Sequence, residues 1–160
     1  MDEREAWSED EEERVLNDVL LPVALSRFDG ASGDADSIDT KSLGVLALAA
    51  AAIAVLVAVH DGINRHWPIG ALSMAAAGVL LVFAIWPRSW DFGPNLEAFY
   101  SEMSGAPRVE ASRQMLSELL ASVDKNDMTN AGKFRWYRAG LAVFVLALVV
   151  CVPIALVRPH

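Results

Sequence analysis

Three stretches of the chain are apolar without interruption. Residues 43–59, 67–86 and 139–157 hold 17, 20 and 19 positions with no Asp, Glu, Lys or Arg. A helix rises about 1.5 Å per residue, so about 20 residues cross a ~30 Å hydrocarbon core. The second and third stretches fit that length, and the first reaches it by borrowing Ser42 and His60. A helix on the outside of a soluble core keeps a polar face, whereas these stretches are apolar all round. The pattern predicts three membrane-spanning helices. A soluble bundle of buried helices is the alternative.

Between the apolar stretches the periodicity is amphipathic. Ser8 is followed three residues on by Glu11, a capping-box spacing. Val15, Leu16, Val19, Leu20 and Val23 then fall on one face. The expectation is an amphipathic helix from Ser8 to about Leu21 that packs on other cytosolic helices, with Pro22 disturbing its far end. "SRFDGASGDADS", from Ser26, has the Gly, Ser and Asp content of a flexible linker. "DGINRH" is a short turn, making the first two spans a hairpin. "GPNLEAFYSEMSG" predicts a short helix with Leu96, Phe99, Tyr100 and Met103 on one side, broken by Gly105 and Pro107. A longer helix is expected from about Arg108, with Val109, Leu116, Leu119, Leu120 and Val123 as its stripe. It runs through "KFRWYR" into the third span, with a weak point at Asn130–Gly132 and a kink at Pro153. The expected fold is an all-α membrane protein: a transmembrane hairpin plus a third span, with cytosolic amphipathic helices. Its segments are residues 1–40 (acidic cytosolic helix and linker), 41–87 (hairpin), 88–138 (cytosolic helices) and 139–160 (third span and tail).

Charge adds direction. The chain carries a net −8, but residues 1–40 hold thirteen acids and three bases while the remainder is net +2. The acidity therefore belongs to the N-terminal segment, and no basic stripe suits nucleic acid. Lys and Arg near span ends set orientation. Lys41 flanks the first span, and Arg88, Lys133, Arg135 and Arg138 border the segment between the second and third. The hairpin turn has only Arg65 and the tail only Arg158. This predicts a multi-pass membrane protein with a cytoplasmic N-terminus and an outside C-terminus. "MDEREAWSEDEEER" lacks the basic and apolar regions of a signal peptide, so the first span is expected to be an uncleaved anchor.

Candidate chemistry is sparse. No Gly-rich phosphate loop, Gly-x-Ser-x-Gly elbow or His-Glu-x-x-His occurs, so no catalytic residue is assigned and no enzyme is expected. His60, Asp61 and His66 could meet at one turn, but interfacial polar residues explain them and no metal or cofactor is assigned. Cys151 alone forms no intrachain disulfide. Ala50, Ala54 and Ala58 repeat every four residues, as do Ala71 and Ala75, and Ser73 and Ala77. Such rows let helix backbones approach, either within the hairpin or between copies of the chain. No ionisable residue lies deep in a span, which weighs against a secondary transporter. "KFRWYR" is an interfacial anchor by composition. Alternatively, Lys133 and Arg135 face inward toward an anionic cytosolic ligand.

The order of parts is similar to a known family. A collar, "IDTKSLGVLALAA", opens the first span, with Ser42 where alanine would complete Asp-x-Lys-Ala. An apolar hairpin, "WPRSWDFGPNLEAFY", "RQMLSELLASVDKN" and "KFRWYRAGLAVFVLAL" follow in turn. From Ile38 to Val157 this resembles the transmembrane effectors of Pycsar antiphage systems. Asp39 and Lys41 match as the span-boundary motif and Lys133 as the basic entry to the last span. The resemblance implies a membrane effector of abortive-infection defence. A separate cyclase would make a cyclic pyrimidine mononucleotide, the effector would respond, and inner-membrane integrity would be impaired. Lys125, Lys133 and Arg135 are the candidate ligand contacts, and the expected partners are the lipid bilayer, further copies of the chain and that nucleotide. A small non-enzymatic accessory or scaffold subunit that recruits a cytosolic partner, or an oligomeric channel subunit, remains open beside it.

Overall fold

The computed structural model describes residues 8–59, 66–86 and 88–156. It is 88% helical, and no strand occurs among the described residues. The elements are α1 (Glu9–Val15), a π turn (Leu16–Leu20), α2 (Leu21–Ala58), α3 (Trp67–Ile85), α4 (Leu96–Met103) and α5 (Arg108–Leu156). The all-α expectation with three spanning helices holds. Three helices are long and apolar enough to cross a membrane: Glu9–Ala58 taken as one, Trp67–Ile85 and Arg108–Cys151. The residues pack as two units, one of Met1–Gly33 with Ser89–Thr129 and one of Asp34–Arg88 with Asn130–His160.

In the first unit, α1 begins with the capping box. The Ser8 hydroxyl accepts from the Glu11 N–H at 3.4 Å, and the Glu11 carboxylate accepts from the Ser8 N–H at 3.1 Å. The Ser8 N–H, and then its hydroxyl, hold the Glu11 carboxyl below its ordinary value. Beyond α1 the chain does not end its helix at Pro22. Proline lacks the N–H that would meet the Asp18 carbonyl. The widened turn just before it absorbs the defect, with the Leu21 N–H donating to the Leu16 carbonyl five residues back. A π turn amounts to one inserted residue. Leu16 and Ala24, both buried, stand eight apart, and from Ala24 the repeat becomes seven. The face expected from Val15 to Val23 is thereby divided. Leu16 is buried, while Val19, Leu20 and Val23 are exposed. Opposite, Val109, Leu119 and Val123 of α5 are buried. Arg113 pairs with Glu12, and the Ser112 hydroxyl donates to Asn17 at 2.9 Å.

The linker expected at Ser26–Ser37 is helical, lying wholly within α2. Its cause is packing. Ala24, Ala31, Ile38, Val45 and Ala52 recur every seven residues, as do Phe28, Ala35, Ser42, Ala49 and Leu56, and all ten are buried or half-buried. The glycines and aspartates between them (Asp29, Gly30, Gly33, Asp34 and Asp36) are exposed. A two-register seven-residue repeat is the signature of supercoiled helix packing, and such packing overrides the weak helix propensity of Gly and Asp.

In the second unit the same repeat governs the other helices. On α3 the buried positions are Gly70, Met74, Ala77, Leu81 and Ala84. On α5 they are Asn130, Lys133, Gly140, Phe144, Ala147 and Cys151, with Tyr137 half-buried. Ala49, Leu56, Met74, Ala77, Phe144, Ala147 and Cys151 form one core. Glycine permits the closest approaches. A Cβ on Gly140 would stand 2.8 Å from Leu81 Cγ, and one on Gly70 would stand 2.5 Å from Cys151 Sγ. The row Ala50, Ala54 and Ala58 faces outward rather than into this packing. Ser73 donates to the Ile69 carbonyl at 2.8 Å, which settles its hydroxyl within the helix. The weak point expected at Asn130–Gly132 is absent, since α5 is helical from Arg108 to Leu156 and through Pro153. The turn residues 60–65, with His60 and Asp61, lie outside the described residues.

Candidate functional site

The candidate residues Asp39, Lys125 and Lys133 lie in two polar groupings. The first lies in the second unit where α2 and α5 enter their apolar stretches. Lys133 occupies a seam position of α5 and is only 7% exposed. Its ammonium donates to both oxygens of Asp39, at 2.9 and 2.7 Å. Asp39 therefore brings the collar of the first span onto the basic entry of the third. Ser42 follows Asp39 by three residues on α2, and Asn130 precedes Lys133 by three on α5, so each shares its neighbour's face. Ser42 is fully enclosed, and its Oγ has no hydrogen-bond partner. An enclosed hydroxyl without a partner costs about 1–3 kcal/mol. Lys133 is buried and Asp39 half-buried, so removing Asp39 leaves an enclosed ammonium unpaired, whereas replacing both by apolar residues is often neutral or better. The layer is therefore a poor way to gain stability and an effective way to fix register.

Around this layer aromatic and basic side chains pack together. Arg138 lies over the Phe134 ring at 5.7 Å, and the Phe83 and Trp136 rings are 5.4 Å apart. The Arg88 guanidinium rests on Gly132, where a Cβ would overlap it. Lys41 is exposed beside the buried Ser42. Arg135, expected to face inward with Lys133, is exposed instead. Two residues turn a helix by about 200°, so both cannot enter one seam.

The second place lies in the first unit. Lys125 donates to the Asp91 carboxylate at 2.9 Å. The same carboxylate accepts from the Ser122 hydroxyl at 3.0 Å and from the Gly93 N–H at 3.1 Å. The Asn126 side chain closes the arrangement. It accepts from the Asp91 N–H and donates to the Asp91 carbonyl, at 3.0 and 2.9 Å. Lys125 first, then Gly93 and Ser122, hold the Asp91 carboxyl below the ordinary carboxylate range. Gly93, at φ +84°, gives the turn a conformation that side chains resist. These bonds pin the loop before α4 onto α5. Two of the three candidate ligand cations, Lys125 and Lys133, thus have carboxylate partners within the chain. Charge alone singles out Lys133 and the collar singles out Asp39, but neither feature pairs them. Their signal was the seven-residue repeat, in which Lys133 is the one charged residue on the seam of α5 in this unit.

An all-α architecture with three spanning helices, contacting lipid, defines a multi-pass membrane protein. Residues 24–158 match the family described as the Pycsar effector protein domain, and the chain belongs to that family of antiphage-defence transmembrane effectors. It is not a known family of enzymes. No curated protein and no solved structure matches the chain.

Proposed function

We propose that the protein is activated by a cyclic nucleotide made by a separate cyclase and then impairs the inner membrane of the infected cell. The observation that carries this reading is the family match across residues 24–158, which takes in all three apolar helices. In this reading residues 1–40 and 88–138 are cytoplasmic, residues 41–87 and 139–160 carry the spans, and the C-terminus is outside. Activation is a change of assembly among copies of the chain, driven by a ligand that favours one state. Of the candidate contacts, Arg135 is exposed and offers a planar donor fork suited to phosphate. Lys125 and Lys133 already donate to Asp91 and Asp39, so a ligand shares or displaces those carboxylates.

The test is induction of the full chain with and without a pyrimidine cyclase. Membrane potential and growth are followed by a potential-sensitive dye and culture density. The expected result is loss of potential only when both proteins are present. Intact potential with both present would sink the reading. A stable cytosolic complex lost on deleting residues 1–40, without toxicity, would favour the accessory-subunit reading instead. That outcome has a physical basis, because α1 lies outside the matched residues.

A further inference from the structure

We infer that the Asp39–Lys133 pair is a regulatory latch: joined, it holds the first and third spans in their silent packing, and its separation is a step of activation. The inference rests on the effector reading above and concerns the second unit alone.

Three observations lead there. The first is placement. From Ile38 onward the seam of α2 is Ile38, Ser42, Val45, Ala49, Ala52 and Leu56, and that of α5 is Asn130, Lys133, Tyr137, Gly140, Phe144, Ala147 and Cys151. Polar side chains collect at one end of an otherwise apolar seam, and there an ion pair joins Asp39 to Lys133. A polar position in such a repeat fixes register at a cost in stability. The second is uniqueness. A slip of one repeat along α2 would bring Ser32 or Leu46 to Lys133 in place of Asp39, and neither can neutralise it. A slip of a whole repeat therefore opens the layer. The third is incomplete satisfaction. Ser42 Oγ is fully enclosed beside the pair with no partner of its own. Water entering the layer would hydrate Asp39, Lys133 and Ser42 together, so the layer has a second, wet arrangement close at hand. Closed, it joins two helices whose remaining seam residues pack within one chain as a single apolar core. Opened, it frees those apolar faces for other copies.

The experiment expresses full-length variants in cells without a cyclase and, separately, with one. Membrane potential is read against the amount of each variant in the membrane. Asp39→Asn is expected to collapse the potential without the cyclase, and the charge-exchanged pair D39K/K133D is expected to be silent again. Two results would overturn the latch. One is Asp39→Asn remaining silent and answering the cyclase as the wild type does. The other is Asp39→Asn reaching wild-type abundance yet failing to respond, which would place the pair in the active state. If Asp39→Asn does not accumulate, D39L/K133M decides. Apolar replacement of both partners is tolerated in buried layers, so this variant should accumulate, bind the cyclic nucleotide as the wild type does, and stay silent even with the cyclase. A normal response, or silence together with lost nucleotide binding, overturns the latch. If the wild type itself keeps its potential with the cyclase, the effector reading fails and the latch falls with it. A responding wild type beside a silent, responsive Asp39→Asn removes only the latch.

Discussion

At Lys133 a cation that could serve an external anion is neutralised inside the chain, and at Lys125 the same happens through Asp91. The two differ in surroundings: Lys133 is buried, whereas Lys125 is exposed. The Asp91 carboxyl titrates below its ordinary value because the folded state favours its charged form. Its stabilising effect is therefore complete above the unfolded carboxyl value of about 3.9, and is lost as pH falls through the lower folded value. Hydrogen exchange at the Asp91 and Gly93 amides should stay slow down to about pH 4 and accelerate below it, after correction for intrinsic rates. Asp91→Asn should remove that step. Unchanged protection below the acid range would show that the charge does not hold the loop. A second residue-scale prediction concerns Gly140. A methyl there meets Leu81 at Cγ, at Cδ2 and, at 3.3 Å, at the backbone nitrogen, so side-chain rotation alone does not relieve it. Gly140→Ala should destabilise the folded protein in detergent by about 1–3 kcal/mol, read as a lower melting temperature. Equal stability would mean that α3 and α5 can separate freely at this point.

The helices were legible to different degrees. The apolar stretches declared themselves because nothing but a membrane or a deep core tolerates about 20 apolar residues in a row. The capping box at Ser8 was legible because its chemistry is local, and so was α4, which starts at the Asn95 cap. What composition concealed was the helix through "SRFDGASGDADS". Local propensity argued for a linker, but Phe28, Ala31, Ala35 and Ile38 keep the seven-residue repeat, and tertiary packing decided. The Asp39–Lys133 contact was hidden for a related reason, since it joins residues 94 positions apart. Amphipathic analysis looks for a polar face, and a seam of alanine within an apolar stretch has none. The linker-like helix yields its own prediction. Added methyl groups at Gly30 and Gly33 meet nothing within 4 Å, so only backbone freedom changes. Each Gly→Ala replacement should stabilise the helix by about 0.8–1 kcal/mol, with higher melting temperature and slower amide exchange over residues 26–37. Destabilisation would mean that these glycines serve a bend or a contact beyond this chain.

At the scale of the whole molecule, the proposed orientation rests on an imbalance of cations rather than on any one contact. Lys41, Arg88, Lys133, Arg135 and Arg138 border one side of the spans, against Arg65 and Arg158 on the other. The acidic residues of the N-terminal segment do not reverse this, because orientation follows Lys and Arg near the span ends and Asp and Glu contribute little. Three spans place the termini on opposite sides. A phosphatase that is active only outside the cytoplasm, fused after His160, should therefore be active, and a fluorescent protein that matures only in the cytoplasm should be dark there. The same fluorescent protein placed before Met1 should be bright. In a Cys151→Ala background, a cysteine at Ser104 should resist a membrane-impermeant maleimide in intact cells and react after lysis. This arrangement is also what the activation reading requires, since a ligand made in the cytoplasm must reach residues 88–138. A silent C-terminal phosphatase together with a labelled Ser104→Cys would invert the topology. It would leave the family and the three spans in place, and it would remove the cytoplasmic nucleotide from the mechanism.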